Sequence, residues 1–539
     1  MQSATWKGPS WLLVSLSALV QLVASLISVS VDCDEIFNYW EPLHFLFFSY
    51  GFQTWEYSPL FALRPYLYLL LHRLPVALLV NRVSKPVLFR IIKLLLTVFS
   101  LYCQHRLCLA VGPRFGARTA HIACILFAMA PGMLQANGSL LPNSLAMCLG
   151  MLLWANYWEG ADLRVALLAM AIGIVAWPYA LISAIIPLGT STLTHVMAKN
   201  KEKVKVVMEK ISWLRWTEIL IRRWTVVVPF GVIYILLPTV LLDRFYYGRW
   251  TVTPWNAIVY NLFSPPGAGP SAFGSEPAYF LFKNLLLNFN LLILAALSAV
   301  GFDLGQDGRK LWATCWLTIG IFSFMAHKEE RFLYHVYPLL ILLAAAVVGK
   351  LRKGLAVVII VACTLFGWSR FMAQVHNHQG SIQILHVFGS EGKGVLCMAD
   401  SWHLFPSHFH LPPAMRVAFL QNNFQGILPQ YFDSTDSTKT LFNGYNRPLD
   451  HQFLQNTSHC SFFYGSQSEL DVLGLGDDSS PLQCAKVALP GGDAGWLSSS
   501  RRWLYIPLFP PNASKLCVFA INRRDGPHDY SQTAQSAPI

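Results

Sequence analysis

The chain has 539 residues, of which 54% are hydrophobic and 13% charged, and its formal net charge is +12. Soluble domains carry about 25% charged residues, so an ordinary soluble protein is excluded, and apolar segments near the length of a membrane-spanning helix recur along the first two thirds. The positive charge does not point to nucleic acid: Lys199, Lys201, Lys203, Lys205, Lys210, Arg215, Arg222 and Arg223 crowd one loop, and "GKLRKG" makes a second basic joint, as in cytoplasmic loops of membrane proteins.

In chain order, "WLLVSLSALVQLVASLISVS" (11–30) reads as a retained membrane anchor, because only Lys7 precedes it closely and no A-x-A cleavage site follows. A loop rich in acids and aromatics then occupies 31–88. Further spans are expected at 89–110, 119–135, 143–158, 164–176, 179–198, 224–243, 280–301, 311–326, 332–349 and 354–369, about eleven with the first. With a cytoplasmic N-terminus, the basic joints near 106–118, 199–223, 302–310 and 349–354 all fall on one side. The loops 31–88, 136–142, 244–279 and 327–331 then fall on the other, together with everything beyond 370.

The expected organisation is a polytopic domain over 1–370, a lumenal domain over 371–525 and a disordered tail over 526–539. The second part is richer in Gly, Pro, Ser and Asn, carries glycosylation sequons at Asn456 and Asn512, and includes the strand-like "KGVLCMADSW" and "MRVAFLQNNF". Seven of the eleven cysteines lie in or near apolar segments, while Cys397, Cys460, Cys484 and Cys517 lie in this region and permit one or two disulfides of open connectivity. No C-x-x-C spacing suggests zinc or redox chemistry.

Two polar stretches stand out against the apolar background. In "DCDEIFNYWEP", Asp32, Asp34 and Glu35 follow the first span, and a helix there puts Asp34, Asn38 and Glu41 on one face at i, i+4, i+7. A carboxylate desolvated by aromatic neighbours suits a general base; the blander reading is a solvated acidic loop with an aromatic belt. "DCD" also invites a divalent metal, but no nucleotide-binding strand precedes it. "HKEERF" (327–332) offers His327, Lys328 and Arg331 to a phosphate, with Glu329 and Glu330 to orient them, or else forms a self-paired loop of interface anchors. The loop 243–290 mixes aromatics and amides that suit sugar rings or a membrane interface, and His403, His408 and His410 read as surface or packing histidines.

"DCDEIFNYWEPLHFLFFSYGFQTWEYSPLFALRPYLYLLLH" (32–72) closely resembles the first lumenal loop of the dolichyl-phosphate-mannose-dependent α-1,2-mannosyltransferases of N-glycan precursor assembly. "HKEERF" matches the H-K-E-x-R-F signature of the wider mannosyltransferase family. The likeness extends through "AIGIVAWPYALISAIIPLG" (171–189), "FYYGRWTVTPWNAIVYNLF" with "FGSEPAYFLFKNLLLNFN" (245–290) and "SWHLFPSHFHLPPAMRVAFLQNNFQGILPQYF" (401–432).

The resemblance implies a membrane α-helical, C-type glycosyltransferase fold of about eleven spans with a small lumenal α/β domain. It implies a multi-pass endoplasmic-reticulum enzyme, with N-terminus cytoplasmic and active site and C-terminus lumenal. The implied donor is dolichyl phosphate mannose and the acceptor a dolichyl-diphosphate-linked oligosaccharide; membrane lipids surround it, and neither nucleic acid nor a metal or other cofactor is expected. A β-linked donor and an α product require inversion, hence one base for the acceptor hydroxyl and cations for the leaving phosphate. Asp34 is the expected base, with Asp32 or Glu35 as rivals. His327, Lys328 and Arg331 are expected on the phosphate, with Glu329 and Glu330 orienting them, and Glu41, Trp55, Glu56, Arg64, Tyr247 and Glu276 on the substrate. The alternatives are a mannosyltransferase of GPI-anchor synthesis and, more remotely, a lipid-linked sugar transporter, although internal repeats typical of transporters are missing.

Overall fold

The structure, a computed structural model, describes residues 6–198, 225, 227–421, 423–432, 442–476, 479–487 and 514–521. The lysine-rich loop 199–223, the sequon at Asn512 and the tail 526–539 lie outside the described residues. Helices occupy the apolar segments. They include α1 (Trp11–Ile27), α2 (the continuous helical run 33–48), α3 (Lys85–Phe115), α4 (Ala117–Met129), α5 (Pro131–Asn137), α6 (Pro142–Glu159), α7 (Gly305–Phe324), α8 (Tyr337–Lys350) and α9 (Lys353–Gln383). Among the described residues four helices are long and apolar enough to cross a membrane singly, and two bent pairs bring the number to six. One pair is α4 with α5, bent by 72° where Pro131 removes a backbone donor between them.

Helix α8 is the axis of the bundle. Every residue from Tyr337 to Val348 is buried, as expected of a helix that is apolar all round. Its neighbour α9 is different: Leu355, Val357, Val358, Val361, Leu365 and Phe366 are exposed along one side, a surface suited to lipid. Helix α1 is tied into the bundle by amide side chains. Gln21 and Gln104 exchange hydrogen bonds at 3.0 and 2.9 Å, and Asn137 donates to Gln21 at 2.6 Å. Such interhelical amide bonds hold helices together where lipid supplies no hydrophobic drive.

Helix α9 continues to Gln383, so the expected boundary at 370/371 falls inside a helix, and strands begin at Lys393. Strands β2 (Lys393–Met398), β3 (Ala414–Phe419), β5 (Phe462–Gly465), β6 (Ser479–Val487) and β7 (Ser514–Ile521) form a sheet in the order β3-β2-β5-β7-β6. Strand β2 runs parallel to β3 and β5, and β7 runs antiparallel to β5 and β6. Two disulfides, Cys397–Cys460 and Cys484–Cys517, staple it. Asn456 is exposed beside this sheet.

The contacts that join this region to the loop after α1 include a strand pair and a buried ion pair. The short strand β1 (Phe52–Gln53) pairs antiparallel with β4 (Gln430–Tyr431). Beside it, Glu41 receives the Ser407 hydroxyl at 2.7 Å, the His408 backbone N–H at 2.8 Å and the Phe52 N–H at 3.0 Å, and its Oε2 lies 2.6 Å from His408 Nδ1. Both Glu41 and His408 side chains are fully buried. Glu41, expected on the substrate, thus clasps the C-terminal region, and of the two readings of His408, surface or packing, the packing one holds.

Burial alone would raise the Glu41 carboxyl, but the His408 charge and hydrogen bond overcome it and hold it at about 2, below its ordinary 4.5. A depressed carboxyl stabilises the fold above pH 4.5 and loses that contribution as pH falls toward about 2. Thermal melting in detergent should therefore show Glu41→Gln lacking this acid-dependent component. His408→Phe, which strands a buried charge, should cost about 3–5 kcal/mol.

Candidate active site

Helix α2 presents the first acids. Asp32 caps it, accepting the Asp34 backbone N–H at 2.9 Å, as short carboxylate side chains do at helix starts. The run begins as α-helix over Cys33–Glu35, passes through a π turn over Ile36–Trp40 and returns to α-helix over Glu41–Phe48. The π turn inserts one residue, which turns everything beyond it by about 100°. That is why Asp34 and Asn38 line one cavity while Glu41, expected on the same face, points to His408.

The cations come from the link between α7 and α8. Arg331 donates through Nη1 to Asp32 at 2.8 Å and through Nη2 to Asp34 at 2.5 Å, and the same Nη2 lies 2.6 Å from Glu329. The carboxylates of Asp32, Asp34 and Glu329 lie within 4.8 Å of one another, close enough for a cation site, and the Arg331 guanidinium supplies the positive charge between them. His327 stands 2.9 Å from Glu329 through Nε2 and 3.2 Å from the Gly274 carbonyl through Nδ1. A carbonyl and a carboxylate both demand a donor, so the ring favours its doubly protonated form. The Glu329 hydrogen bond accordingly raises its pKa.

Asp32 and Asp34 differ. Burial pushes the Asp32 carboxyl from 3.8 up to about 7, against the pull of Arg331. Burial acts on Asp34 too, but there Arg331, by charge and hydrogen bond, outweighs it and holds the carboxyl below its ordinary value. Asp34 is also the more accessible, with 44% of its side chain exposed against 27% for Asp32. Of Asp32, Asp34 and Glu35, Asp34 alone lines the cavity.

This cavity has a volume of about 430 Å³, within the range of small-molecule sites, and His327, Glu329 and Arg331 share it with Asp34. Trp55 forms part of its wall, stacked on Phe273 with ring centres 5.6 Å apart and 4.7 Å from Tyr260. Arg64 and Glu56 form a two-pronged ion pair at 2.9 and 2.6 Å in the same wall. Tyr247 does not reach the cavity but donates to the Arg64 carbonyl at 2.7 Å and so fixes that residue.

The other expected site residues do not line the cavity. Glu35, one residue beyond Asp34 and about 100° further round the helix, accepts Trp40 Nε1 at 2.9 Å and the Leu140 N–H at 2.8 Å in a buried strut. Lys328 is buried, donating to the Glu276 carbonyl at 2.5 Å, which leaves the Glu276 side chain exposed on a loop. Glu330 accepts from Asn288 at 2.7 Å. Conversely, the cavity wall includes Tyr39, Tyr57, Tyr68, Asn143 and Trp177, and Trp402, Phe424, Ile427 and Asn446 from the C-terminal region. Tyr39, Tyr57 and Tyr68 lie in the aromatic first loop, and Trp177, Trp402, Phe424 and Ile427 lie in the stretches 171–189 and 401–432 that carry the family likeness, whereas Asn143 and Asn446 carry no distinguishing local pattern.

The structure superposes on the crystal structure of ArnT from Cupriavidus metallidurans bound to undecaprenyl phosphate, with a TM-score of 0.51 over 96% of this chain and 99% of that one at 12% identity. Helical bundle and appended sheet thus share the overall fold of that structure. The human "Alpha-1,2-mannosyltransferase ALG9" is 32% identical over 76% of this chain and 71% of its own length, whereas the zebrafish "GPI alpha-1,2-mannosyltransferase 3" is 24% identical over 74% of this chain and 71% of its own length. A model of the Alg9-like mannosyltransferase family matches residues 11–412, and the chain belongs to that family.

The Asp32 shift has a measurable consequence. Its raised pKa means that the folded chain keeps a proton that the unfolded chain releases, so stability falls as pH rises from 3.8 to about 7. Melting temperatures across that window should decline less steeply for Asp32→Asn than for wild type. Parallel declines would place the titration elsewhere.

Proposed function

We propose that this mannosyltransferase moves mannose from dolichyl phosphate mannose onto a dolichyl-diphosphate-linked oligosaccharide, forming an α-1,2 linkage during N-glycan precursor assembly. The observation that carries the reading is the meeting of Asp34 and Arg331, 297 positions apart in sequence, at the wall of one cavity. Relatives named as α-1,2-mannosyltransferases support the linkage and stand nearer than the relative named for GPI mannosylation. In this reading the eleven apolar segments cross the endoplasmic-reticulum membrane, the N-terminus is cytoplasmic, and the cavity and C-terminal α/β domain are lumenal. The basic loop 199–223 and the other Arg- and Lys-bearing joints support that orientation.

The chemistry is a single displacement. An acceptor hydroxyl oxygen attacks the anomeric carbon, the bond from that carbon to the phosphate oxygen breaks, and the electron pair leaves with dolichyl phosphate. Asp34 takes the hydroxyl proton. Arg331 and the protonated His327 hold the phosphate, with Glu329 orienting both. Lys328 and Glu330 contribute by bracing the loop. By pKa Asp32 is the rival base, but reach comes before pKa, and of the two aspartates Asp34 lines the cavity. Trp55 offers an aromatic face to a sugar ring, and Glu56 with Arg64 offers hydrogen bonds to its hydroxyls.

Purified protein should transfer mannose from dolichyl phosphate mannose to a lipid-linked acceptor and keep doing so in chelator. Asp34→Asn should lower kcat by roughly 10²–10⁴-fold, and Asp32→Asn by much less. The reverse order would move the base to Asp32, and loss of activity in chelator would assign the carboxylate cluster to a metal.

A further inference from the structure

The reacting groups do not account for all the polar side chains in the cavity wall. Tyr57, Tyr68 and Asn143 also line it; they are buried to 2%, 1% and 5% exposure. The phenol oxygens of both tyrosines and the Asn143 amide nitrogen have no hydrogen-bond partner. A buried donor left unsatisfied costs about 1–3 kcal/mol. Three of them in the wall of one cavity are therefore an unmet demand for acceptors there. The surrounding groups offer no substitute: the Arg64 side chain is held by Glu56, and its guanidinium lies over the Tyr39 ring, which in turn packs edge-on against Tyr68 at 5.5 Å.

We infer that Tyr57, Tyr68 and Asn143 read the ring hydroxyls of the single hexose that the donor brings into the cavity. The inference rests on the transfer reading above and assigns its sugar subsite. Two features favour the donor ring over the acceptor glycan. The three residues lie in the buried part of the wall, which suits one ring, whereas Trp402, Phe424 and Asn446 of the C-terminal region form a partly exposed part, which suits an oligosaccharide that must extend outward. Further, hydroxyls on a ring accept as readily as they donate, so they match a set of three donors. A site built to hydrogen-bond a hydroxyl rejects analogues that lack it far more strongly than an apolar pocket rejects an extra group.

The test is steady-state transfer by the full-length protein with mannosyl phosphoryl dolichol and with donors lacking one ring hydroxyl at a time. Tyr68→Phe and Tyr57→Phe each remove one oxygen and keep the ring. Because that oxygen is unsatisfied in the unliganded protein, melting temperatures should hold or rise, an outcome that separates binding from folding. With intact donor, kcat/KM for the donor should fall roughly two- to ten-fold while KM for the acceptor holds. With the donor lacking the matched hydroxyl, the substitution should have no further effect. If acceptor KM moves instead, or every deoxy donor responds equally to the substitution, the assignment is overturned. Wild-type protein that turns over normally beside unaffected Tyr→Phe variants would sink the subsite alone; wild type inert with intact donor would sink the transfer reading as well.

Discussion

A buried guanidinium must be paired, because removing one partner of a buried charge pair leaves several kcal/mol uncompensated. Arg331 meets that demand with Asp32 and Asp34, 299 and 297 positions earlier in sequence, and with its near neighbour Glu329. The constraint is structural before it is chemical. It requires the start of α2 and the link between α7 and α8 to lie at the same place, and from there α8 runs on as a helix buried from Tyr337 to Val348. The cavity occupies the space beside that junction. The arrangement thus brings an acid and a cation to one point without a loop having to fold over them.

The far side of the cavity depends on a second junction. The Glu41–His408 clasp and the pairing of β1 with β4 fix the C-terminal region against the loop that follows α1. Through them Trp402, Phe424, Ile427 and Asn446 reach the cavity. The π turn in α2 connects the two junctions. By adding one residue it lets a single helix present Asp34 to the cavity and Glu41 to the clasp, two directions that an uninterrupted α-helix would have merged into one.

Much of this was legible from local pattern. Long apolar runs announce helices because lipid demands them, and "HKEERF" announces a site because charge in an apolar context has few other reasons to be there. The strand-like stretches at β2 and β3 were readable as short apolar runs in a polar region. What local pattern did not carry were the consequences of tertiary geometry. Nothing in "FNYWE" marks a π turn, so an ordinary helical period wrongly put Glu41 beside Asp34. Glu35 and Lys328 are the right residue types one position from the right place: a turn of about 100° on the helix sends Glu35 into a buried contact, and Lys328, in the extended link before Glu330, is drawn to the Glu276 carbonyl. That Trp402, Phe424, Ile427 and Asn446 line the cavity was not legible, because a Trp or Asn in a loop looks the same whether it lines a cavity or covers a core. Pairing of the four C-terminal cysteines likewise had to await the sheet that sets them side by side.

The proposed displacement makes particular use of the way Arg331 is shared. Before reaction one negative charge sits on Asp34 and one on the bridging phosphate of the donor. After it Asp34 is neutral and the released phosphate carries the additional charge. Net charge in the cavity is unchanged, so no ion need enter or leave a poorly solvated site during the step. The charge has moved from one side of the guanidinium to the other. In the unliganded protein Arg331 is already hydrogen-bonded to Asp34, so an arriving phosphate competes for the same donors and weakens the interaction that keeps Asp34 a poor base. Phosphate binding and base strength are then coupled through a single side chain. A lysine there would attract both anions, but its point charge lacks the planar fork that lets Arg331 address Asp32 with one nitrogen and Asp34 with the other.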